Sequence, residues 1–258
     1  MCSEKEKKKK SALFVSSLEK GMIILEAFNQ GRAVLGLSDL VSLTGINRSA
    51  VQRFLHTWEA LGYLEKDPVS KQCKLTPKIM TLGYSYLKSE RLVEIATPFL
   101  LEARKRAKNS IYLGVLDGDS VVYLLRFPQR LMVIEGTLPG RAVPAFCGGR
   151  ALLSCLPEQD VVDILQKSHR IAITPHTIVG MKNNMQEIAK VKENGYCISR
   201  QEQVMGELAI SAPICDSQGT LQAAVYISAR SNDWSTEEAQ KTLVPIVLET
   251  ASHIGQAL

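Results

Sequence analysis

Long hydrophobic runs are missing from this sequence. Nowhere in its 258 residues does an apolar stretch approach the roughly 18 residues that a membrane-spanning helix requires. The N-terminus is basic, but the apolar segment that would make it a secretion signal does not follow. We therefore expect a protein that neither spans a membrane nor is secreted.

Paired cysteines and catalytic signatures are missing as well. The 6 cysteines are scattered, without a C-x-x-C pair or a Cys/His cluster at metal-ligand spacing. The 4 histidines are far apart, and none lies in a metalloprotease, esterase or Cys-His signature. We expect reduced thiols in a cytoplasmic protein, and we predict no catalytic residues, no metal and no cofactor.

Charge is distributed unevenly along the chain. Residues 1–78 carry 13 Lys and Arg against 8 Asp and Glu, whereas residues 79–258 carry 18 of each kind. A basic N-terminal part is typical of a domain that binds a polyanion, because Lys and Arg neutralise phosphates. At this length two domains are expected. Residues 1–14 should form a disordered basic tail, which either keeps the chain soluble or contacts DNA.

Three helices are predicted after the tail. The first begins near Ser17, the second covers residues 37–43 with Ser38 as N-cap and Gly45 after its end, and the third begins at Ile46. Apolar spacing predicts one buried side on the first and third helices. The positions predicted to be buried are Leu18, Met22, Leu25 and Phe28 in the first helix, and Val51, Leu55, Trp58 and Leu61 in the third.

A short helix, a glycine turn and a longer helix form the arrangement that sets a recognition helix into the major groove of DNA. The polar side of the longer helix carries residue types that pair with guanine, adenine or phosphate. The predicted DNA contacts here are Ser38, Asn47, Arg48, Ser49, Gln52, Arg53 and His56. The alternative is a merely solvated face, since any surface helix is polar on one side.

A two-stranded wing is predicted next. Residues 63–66 and 72–75 are strand candidates around a turn at 67–70. Lys71 and Lys74 are predicted to contact backbone phosphate, although lysines in hairpin loops are often simply exposed. The DNA-binding domain would then cover residues 15–76.

The rest of the chain alternates strands and helices. A linker helix is predicted over residues 77–91, with Thr76-Pro77 as its start, and a regulatory domain over residues 92–258. Hairpins and flanking helices indicate an α+β fold with an antiparallel sheet. We predict strands at 111–116, 120–126, 131–137, 196–199, 208–215 and 220–229, and helices at 92–106, 149–155, 158–167, 182–193 and from Ser235 to the C-terminus.

Several segments resemble the IclR family of bacterial transcriptional regulators. In the N-terminal part these are SLEKGMIILEAF, LSDLVSLTGINRSAVQRFLHTWEALGYLEKD and KLTPKIMTLGYSYL, and in the C-terminal part VVYLLRF, GRALLS, ENGYCISRQE and ISAPICDSQGTLQAAVYIS. The resemblance implies a winged helix-turn-helix, a linker helix and a GAF-like effector-binding domain. It also implies a homodimer or homotetramer on a palindromic operator, with affinity controlled by a small organic acid, often an aromatic one.

The resemblance also implies an effector site. Carried over position by position, the effector-binding residues are Phe146, Cys147, Gly148, Gly149, Ser199, Ala209, Tyr226 and Ser228. This sequence departs from the family pattern in two ways: the loop in VPAFCGGRALLS is shorter than is common, and Ser199, Ala209 and Tyr226 replace acidic, cysteine and serine residues. The identity of the acid therefore does not transfer.

Some residues near this site have two interpretations. Gly148-Gly149-Arg150 at a helix start could hold a carboxylate, or the glycines could simply permit a tight turn. Arg150 is either a structural residue or a ligand clamp, and Met205 and Tyr226 either line a pocket or belong to the core. Cys147 as a reactive thiol is a further hypothesis.

The function predicted is sequence-specific transcriptional regulation by DNA binding. Two alternatives remain at this point: a metabolic enzyme with an appended winged helix, and a sensory module in which the winged helix binds protein.

Overall fold

The computed structural model of the chain describes residues 13–29, 32–129 and 138–258. Over these ranges the chain forms two units, which divide between Tyr86 and Leu87. The lysine run of the tail and the strand predicted at 131–137 lie outside the described residues.

The N-terminal unit combines helices with a small sheet. Its elements are α1 (Ser16–Glu26), a 3-10 turn (Ala27–Asn29), β1 (Val34–Leu35), α2 (Leu37–Thr44), α3 (Arg48–Ala60), β2 (Leu64–Lys66), β3 (Cys73–Leu75) and the first part of α4 (Ile79–Ser89). The three strands pair antiparallel in the order β1-β3-β2. This is a winged helix-turn-helix, as predicted; β1 was not predicted.

The core of this unit is built from the apolar sides of its three helices. Ile24, Leu40 and Val51 are completely buried, one from each helix. The predicted burial was wrong for Leu18, Met22 and Leu61, which are 62 %, 44 % and 50 % exposed. Leu18 lies in the first turn of α1, before the buried positions begin. Met22 lies about 100° around the helix from the buried Gly21, and Leu61 follows the end of α3.

The C-terminal unit is a six-stranded antiparallel sheet with helices on both faces. Its elements are α5 (Arg91–Ala107), β4 (Ser110–Asp117), β5 (Ser120–Phe127), β6 (Ala142–Pro144), α6 (Ala145–Gly148), α7 (Arg150–Leu153), α8 (Glu158–Lys167), α9 (Met181–Asn194), β7 (Cys197–Arg200), β8 (Glu207–Cys215), β9 (Leu221–Arg230) and α10 (Thr236–Ala257). The strand order is β6-β5-β4-β9-β8-β7. The predicted α+β class is confirmed, and the sheet is consistent with a GAF-like domain.

Strand alternation divides the core of this unit between the two faces of the sheet. Ile111, Leu113 and Ile227 pack on the side of α5 and α10. Tyr112 and Tyr226 point to the opposite side, together with α6, α7 and α8. This second side of the sheet carries residues of the predicted effector site, including Tyr226.

Candidate DNA interface and ligand cleft

The turn between α2 and α3 is fixed by local hydrogen bonds. Gly45 ends α2 in the left-handed conformation at φ +67°, where its N–H donates to the carbonyl of Val41. Asn47 is the N-cap of α3, because its Oδ1 accepts the N–H of Ala50 at 2.9 Å. This leaves only the Asn47 amide nitrogen free for a base or a phosphate.

The prediction that Ser38 caps α2 was wrong. The N-cap is Gly36, and its N–H donates to the Asp39 carboxylate at 2.8 Å. A carboxylate at the third helical position reaches back to the cap more readily than a serine at the second position does. Ser38 is instead exposed, and its Oγ accepts from Arg48 Nη1 at 3.3 Å, which links α2 to α3.

The polar side of α3 faces solvent. All six residues predicted there are exposed, namely Asn47, Arg48, Ser49, Gln52, Arg53 and His56. Among the described residues, no carboxylate lies within ion-pair distance of the Arg53 guanidinium. The apolar side is meanwhile held in the unit by Val51 and Leu55. α3 therefore presents an unneutralised, donor-rich surface of about three turns.

The wing is closed by Asp67. Its carboxylate accepts hydrogen bonds from the backbone N–H groups of Ser70 and Val69 and from the Ser70 hydroxyl. These bonds, those of Ser70 first, lower the pKa of Asp67. Lys71 follows with φ +59° and is exposed. Lys74 is also exposed, and its Nζ lies 3.4 Å from the Glu65 carboxylate.

Most of the residues expected to bind effector are packed closely together. Phe146, Cys147, Gly148, Gly149, Ser199, Tyr226 and Ser228 are buried, and Ala209 is half-buried. Ala209 pairs with Ser199 on one side and Ser228 on the other. Gly149 has a steric role: a Cβ there would lie 2.3 Å from the Ala145 carbonyl oxygen, so the α6–α7 junction requires glycine.

Arg150 is completely buried and paired. Its two terminal nitrogens each lie 2.7 Å from an oxygen of Glu202, and Nη2 also donates to Asn184 at 3.2 Å. Burial alone would lower the pKa of Arg150, but the hydrogen bonds and charge of Glu202 outweigh it and raise the pKa. Glu202 also accepts from Ser199 Oγ and the Ile178 N–H. Arg150 is thus bound to protein groups, which favours the structural interpretation.

Three tyrosines, Tyr112, Tyr123 and Tyr226, pack together in the core on this side of the sheet. The rings of Tyr112 and Tyr123, and those of Tyr123 and Tyr226, have centroids 5.6 Å apart. The hydroxyls of Tyr112 and Tyr226 are buried and have no hydrogen-bond partner among the described residues. Burial raises the pKa of Tyr226 well above its usual value, so the ring is a neutral part of the core.

Cys147 does not have the surroundings of a reactive thiol. The residue is completely buried. Burial, reinforced by the charge of Glu202, raises the pKa of its thiol to about 12. The thiolate is the reactive form of cysteine, so the structure argues against this hypothesis.

A cleft of about 720 Å³ opens at one end of the sheet. Ser228 lines it and is the one predicted effector residue to do so; Met205 lines it as well. Its floor contains Glu207, which is 7 % exposed and accepts a 2.5 Å hydrogen bond from the Ser228 hydroxyl. Burial raises the pKa of Glu207, and the bond from Ser228 opposes that shift only in part. Lys108 and Arg230 line the same cleft with exposed cationic side chains.

Sequence reasoning missed Glu207. Its signal is strand alternation: Glu207, Ala209 and Ser211 occupy every second position of β8 and share one face of the sheet. The strand was predicted to begin one residue later, at Leu208, which left Glu207 in the preceding loop.

Over the described ranges, no three His, Cys, Asp or Glu side chains form a group that could hold a metal ion. In the same part of the chain, no helix combines the length and the apolar character needed to cross a membrane.

Comparison with known proteins assigns the family. Residues 17–68 match the IclR helix-turn-helix domain, and residues 84–256 match the domain described as bacterial transcriptional regulator IclR C-terminal. The chain belongs to the IclR family. The first match contains α2 to β2 and all but the first residue of α1, and the second contains α5 to β9, so the family covers both the exposed polar helix and the cleft.

Relatives of this IclR-family regulator are similar over most of their length. The Pca regulon regulatory protein of Pseudomonas putida is 30 % identical over 95 % of this chain and 84 % of its own. The p-hydroxybenzoate hydroxylase transcriptional activator of Acinetobacter baylyi is 29 % identical over 93 % and 91 %. An IclR homolog from Microbacterium hydrocarbonoxydans, solved with 4-hydroxybenzoate, has the same fold: its TM-score is 0.73 at 21 % identity, over 93 % of this chain and 97 % of that one.

These relatives are named for the control of transcription, and the family is one of DNA-binding regulators rather than enzymes. The IclR-family chain described here is accordingly a transcriptional regulator with a helix-turn-helix and an effector-binding domain.

Proposed function

We propose that this regulator binds a palindromic operator in the cytoplasm as a homodimer or homotetramer, with α3 in the major groove. A small organic acid bound in the C-terminal unit would change its affinity for the operator. The observation that carries the proposal is the exposed side of α3, where six donor- and acceptor-bearing residues face solvent above a buried apolar side.

The N-terminal half of α3 and the wing both support this orientation. In helix-turn-helix proteins the N-terminal residues of the recognition helix contact base edges. Arg48 and Gln52 lie in the first two turns of α3, and Arg53 follows. Arg pairs with guanine and Gln with adenine. Lys71 at the wing would contact phosphate, which adds affinity without sequence preference.

The test is operator selection from random duplexes with the full-length protein. We expect a palindromic consensus, and binding to it that weakens steeply with salt. Enrichment of no duplex, or binding that is insensitive to salt, would exclude the DNA-binding role and favour a protein-interaction module.

The cleft favours an acid that also carries a hydroxyl group. Lys108 and Arg230 would attract the carboxylate at the rim, whereas Glu207 and Ser228 offer hydrogen bonds on the floor. An aromatic hydroxy acid has these two polar ends and an apolar ring between them. The Acinetobacter relative is named as a transcriptional activator of p-hydroxybenzoate hydroxylase, and the Microbacterium homolog was solved with 4-hydroxybenzoate, so this compound is the first ligand to test.

Calorimetry with 4-hydroxybenzoate and benzoate tests the effector assignment. We expect benzoate to bind about tenfold more weakly, because the hydrogen bond to the floor is lost. In Glu207→Leu the two ligands should bind with similar affinity, and in Lys182→Ala, a control that does not line the cleft, the difference should persist. If neither acid binds, the assignment of an aromatic hydroxy acid as effector fails, while the proposal of operator binding is unaffected.

The mechanism proposed is a shift between two states. An effector that binds one arrangement of the paired winged helices more tightly favours that arrangement, and operator affinity follows.

A further inference from the structure

Two cysteines of the C-terminal unit have adjacent sulfur atoms. Cys155 follows α7, and Cys215 is the last residue of β8. They are 60 positions apart in sequence, but their Sγ atoms lie 3.7 Å apart. The disulfide bond length is about 2.05 Å, so the two sulfurs would have to approach each other by about 1.7 Å to bond.

The two thiols differ in how they are held. Cys155 is exposed, and apart from Cys215 its sulfur has two weak contacts, 3.8 Å to the Ala151 carbonyl oxygen and 3.9 Å to the Ser154 hydroxyl. Cys215 is half-buried at an irregularity of β8. Its backbone is fixed by α10: a Cβ at Gly255 would lie 2.1 Å from the Cys215 carbonyl oxygen, so the helix rests directly on this peptide group. Of the two side chains, that of Cys155 is therefore the one that can rotate more freely.

The remaining described cysteines do not share this setting. Cys73, Cys147 and Cys197 are all buried, and an oxidant in solution does not reach a buried thiol. Burial and the neighbouring Cys155 raise the pKa of Cys215 to about 11. An oxidant thus meets Cys155 first.

We propose that Cys155 and Cys215 form a disulfide when the protein meets hydrogen peroxide, which makes this pair an oxidation site in the effector-binding domain. The Cys155 thiolate attacks one peroxide oxygen and becomes a sulfenic acid, and the other oxygen leaves as water after protonation. The Cys215 thiolate then attacks Cys155 Sγ and displaces hydroxide, which also leaves as water. In total, two thiols and one peroxide give one disulfide and two waters.

The bond would join α7 to β8. α7 begins with Arg150, whose partner Glu202 lies in the segment between the two cysteines. Oxidation would therefore close a covalent loop of residues 155–215, which contains Glu202 but not Arg150. Oxidation of this pair would act independently of the proposed effector, because neither cysteine lines the cleft.

Mass spectrometry of the full-length protein tests the site. Reduced protein is treated with hydrogen peroxide, alkylated and digested without reductant. We expect a Cys155–Cys215 linked peptide pair that is two hydrogens lighter than the separate peptides. Cys215→Ser should instead accumulate a Cys155 sulfenic acid, which dimedone captures, and Cys155→Ser should give neither product.

Cys2→Ser is the matched control and should still form the link. The proposal is overturned if Cys155 joins Cys155 of a second copy, if Cys2 is the partner, or if Cys155 proceeds to sulfinic acid in the wild type without any disulfide. Serine at the exposed position 155 changes only the sulfur atom, so a folding defect would not obscure the result.

Discussion

Two buried carboxylates of the C-terminal unit have very different partners. Glu202 receives two hydrogen bonds from Arg150, one from Ser199 and one from Ile178. Glu207 receives its described hydrogen bond from the Ser228 hydroxyl alone. A buried charge is stable when it is paired and fully hydrogen-bonded. Glu202 is thus paired and hydrogen-bonded, whereas burial raises the pKa of Glu207 and favours its protonated form.

Glu207→Gln should make the protein more stable at high pH. The pKa of Glu207 is raised on folding from 4.5, so its contribution to stability is fully present below the unfolded pKa and is lost as pH rises through the folded pKa. Glutamine does not ionise. We expect the variant to gain about 1.4 kcal/mol over the wild type for each unit of that shift.

Urea unfolding between about pH 5 and pH 8 measures this difference. The advantage of Glu207→Gln should grow with pH. A constant difference between the two proteins would mean that Glu207 does not titrate in this range.

Replacing Arg150 alone should be strongly destabilising. Arg150→Met leaves the Glu202 carboxylate buried without a cation, which costs about 3–5 kcal/mol. The double variant Arg150→Met/Glu202→Gln removes that charge and should recover much of the loss. Urea unfolding of the wild type, the single variant and the double variant measures both effects. Equal losses in the two variants would indicate lost packing rather than an unpaired charge.

At the scale of elements, local patterns predicted most of the fold. The helix over Glu158–Lys167 and the Ser235 cap of α10 were predicted as observed, since periodicity and capping depend on neighbouring residues. β1 and α6 were missed, because two residues of strand or a single helical turn are too short to have a recognisable period.

The two candidate sites differ in how far local sequence patterns predict them. The polar side of α3 could be predicted because one amphipathic helix carries it. The cleft could not, because Ser110, Gln129, Glu207 and Ser228 come from distant parts of the chain and meet only in the folded sheet. The DNA-contact and effector-contact residues themselves remain predictions.

Arg53→Ala should remove base recognition by α3. Arg53 is exposed and has no carboxylate partner among the described residues, so its donors are available to a base. We expect a loss of about 1–3 kcal/mol on the selected operator and little loss on random DNA. Fluorescence anisotropy measures both, with Lys182→Ala as a control for charge. Equal losses on both kinds of DNA would assign Arg53 to phosphate contact.

Lys71→Ala should act through the wing without regard to sequence. Loss of one phosphate contact weakens binding to every duplex and lowers the slope of log affinity against log salt by about 1. Titrations at several salt concentrations measure the slope. An unchanged slope would leave Lys71 as an exposed loop lysine.

At the scale of the whole molecule, several apolar side chains on α1 and α4 are exposed to solvent. Leu18 and Met22 on α1 are 62 % and 44 % exposed, and Met80 and Leu82 on α4 are 66 % and 57 % exposed. Exposed apolar patches mark protein interfaces. These residues support the proposed homodimer or homotetramer.

Leu18→Glu should therefore disrupt self-association. A buried charge destabilises an apolar interface, so we expect a smaller particle in light scattering. The wild type should bind a palindrome more tightly than a half-site, and Leu18→Glu should lose most of that preference. Ile171→Glu is the matched control, since Ile171 is also exposed, at 65 %. An unchanged mass for Leu18→Glu would remove α1 from the interface.

The shortest described strands of the six-stranded sheet are the two outermost ones. β6 has 3 residues and β7 has 4, whereas β4 and β9 in the middle have 8 and 10. A short edge strand has few unpaired backbone groups with which a strand of another chain could pair, and short edge strands are one way in which sheet proteins avoid fibril formation. The described edges of this sheet therefore give the regulator little surface for amyloid-like stacking of one copy on another.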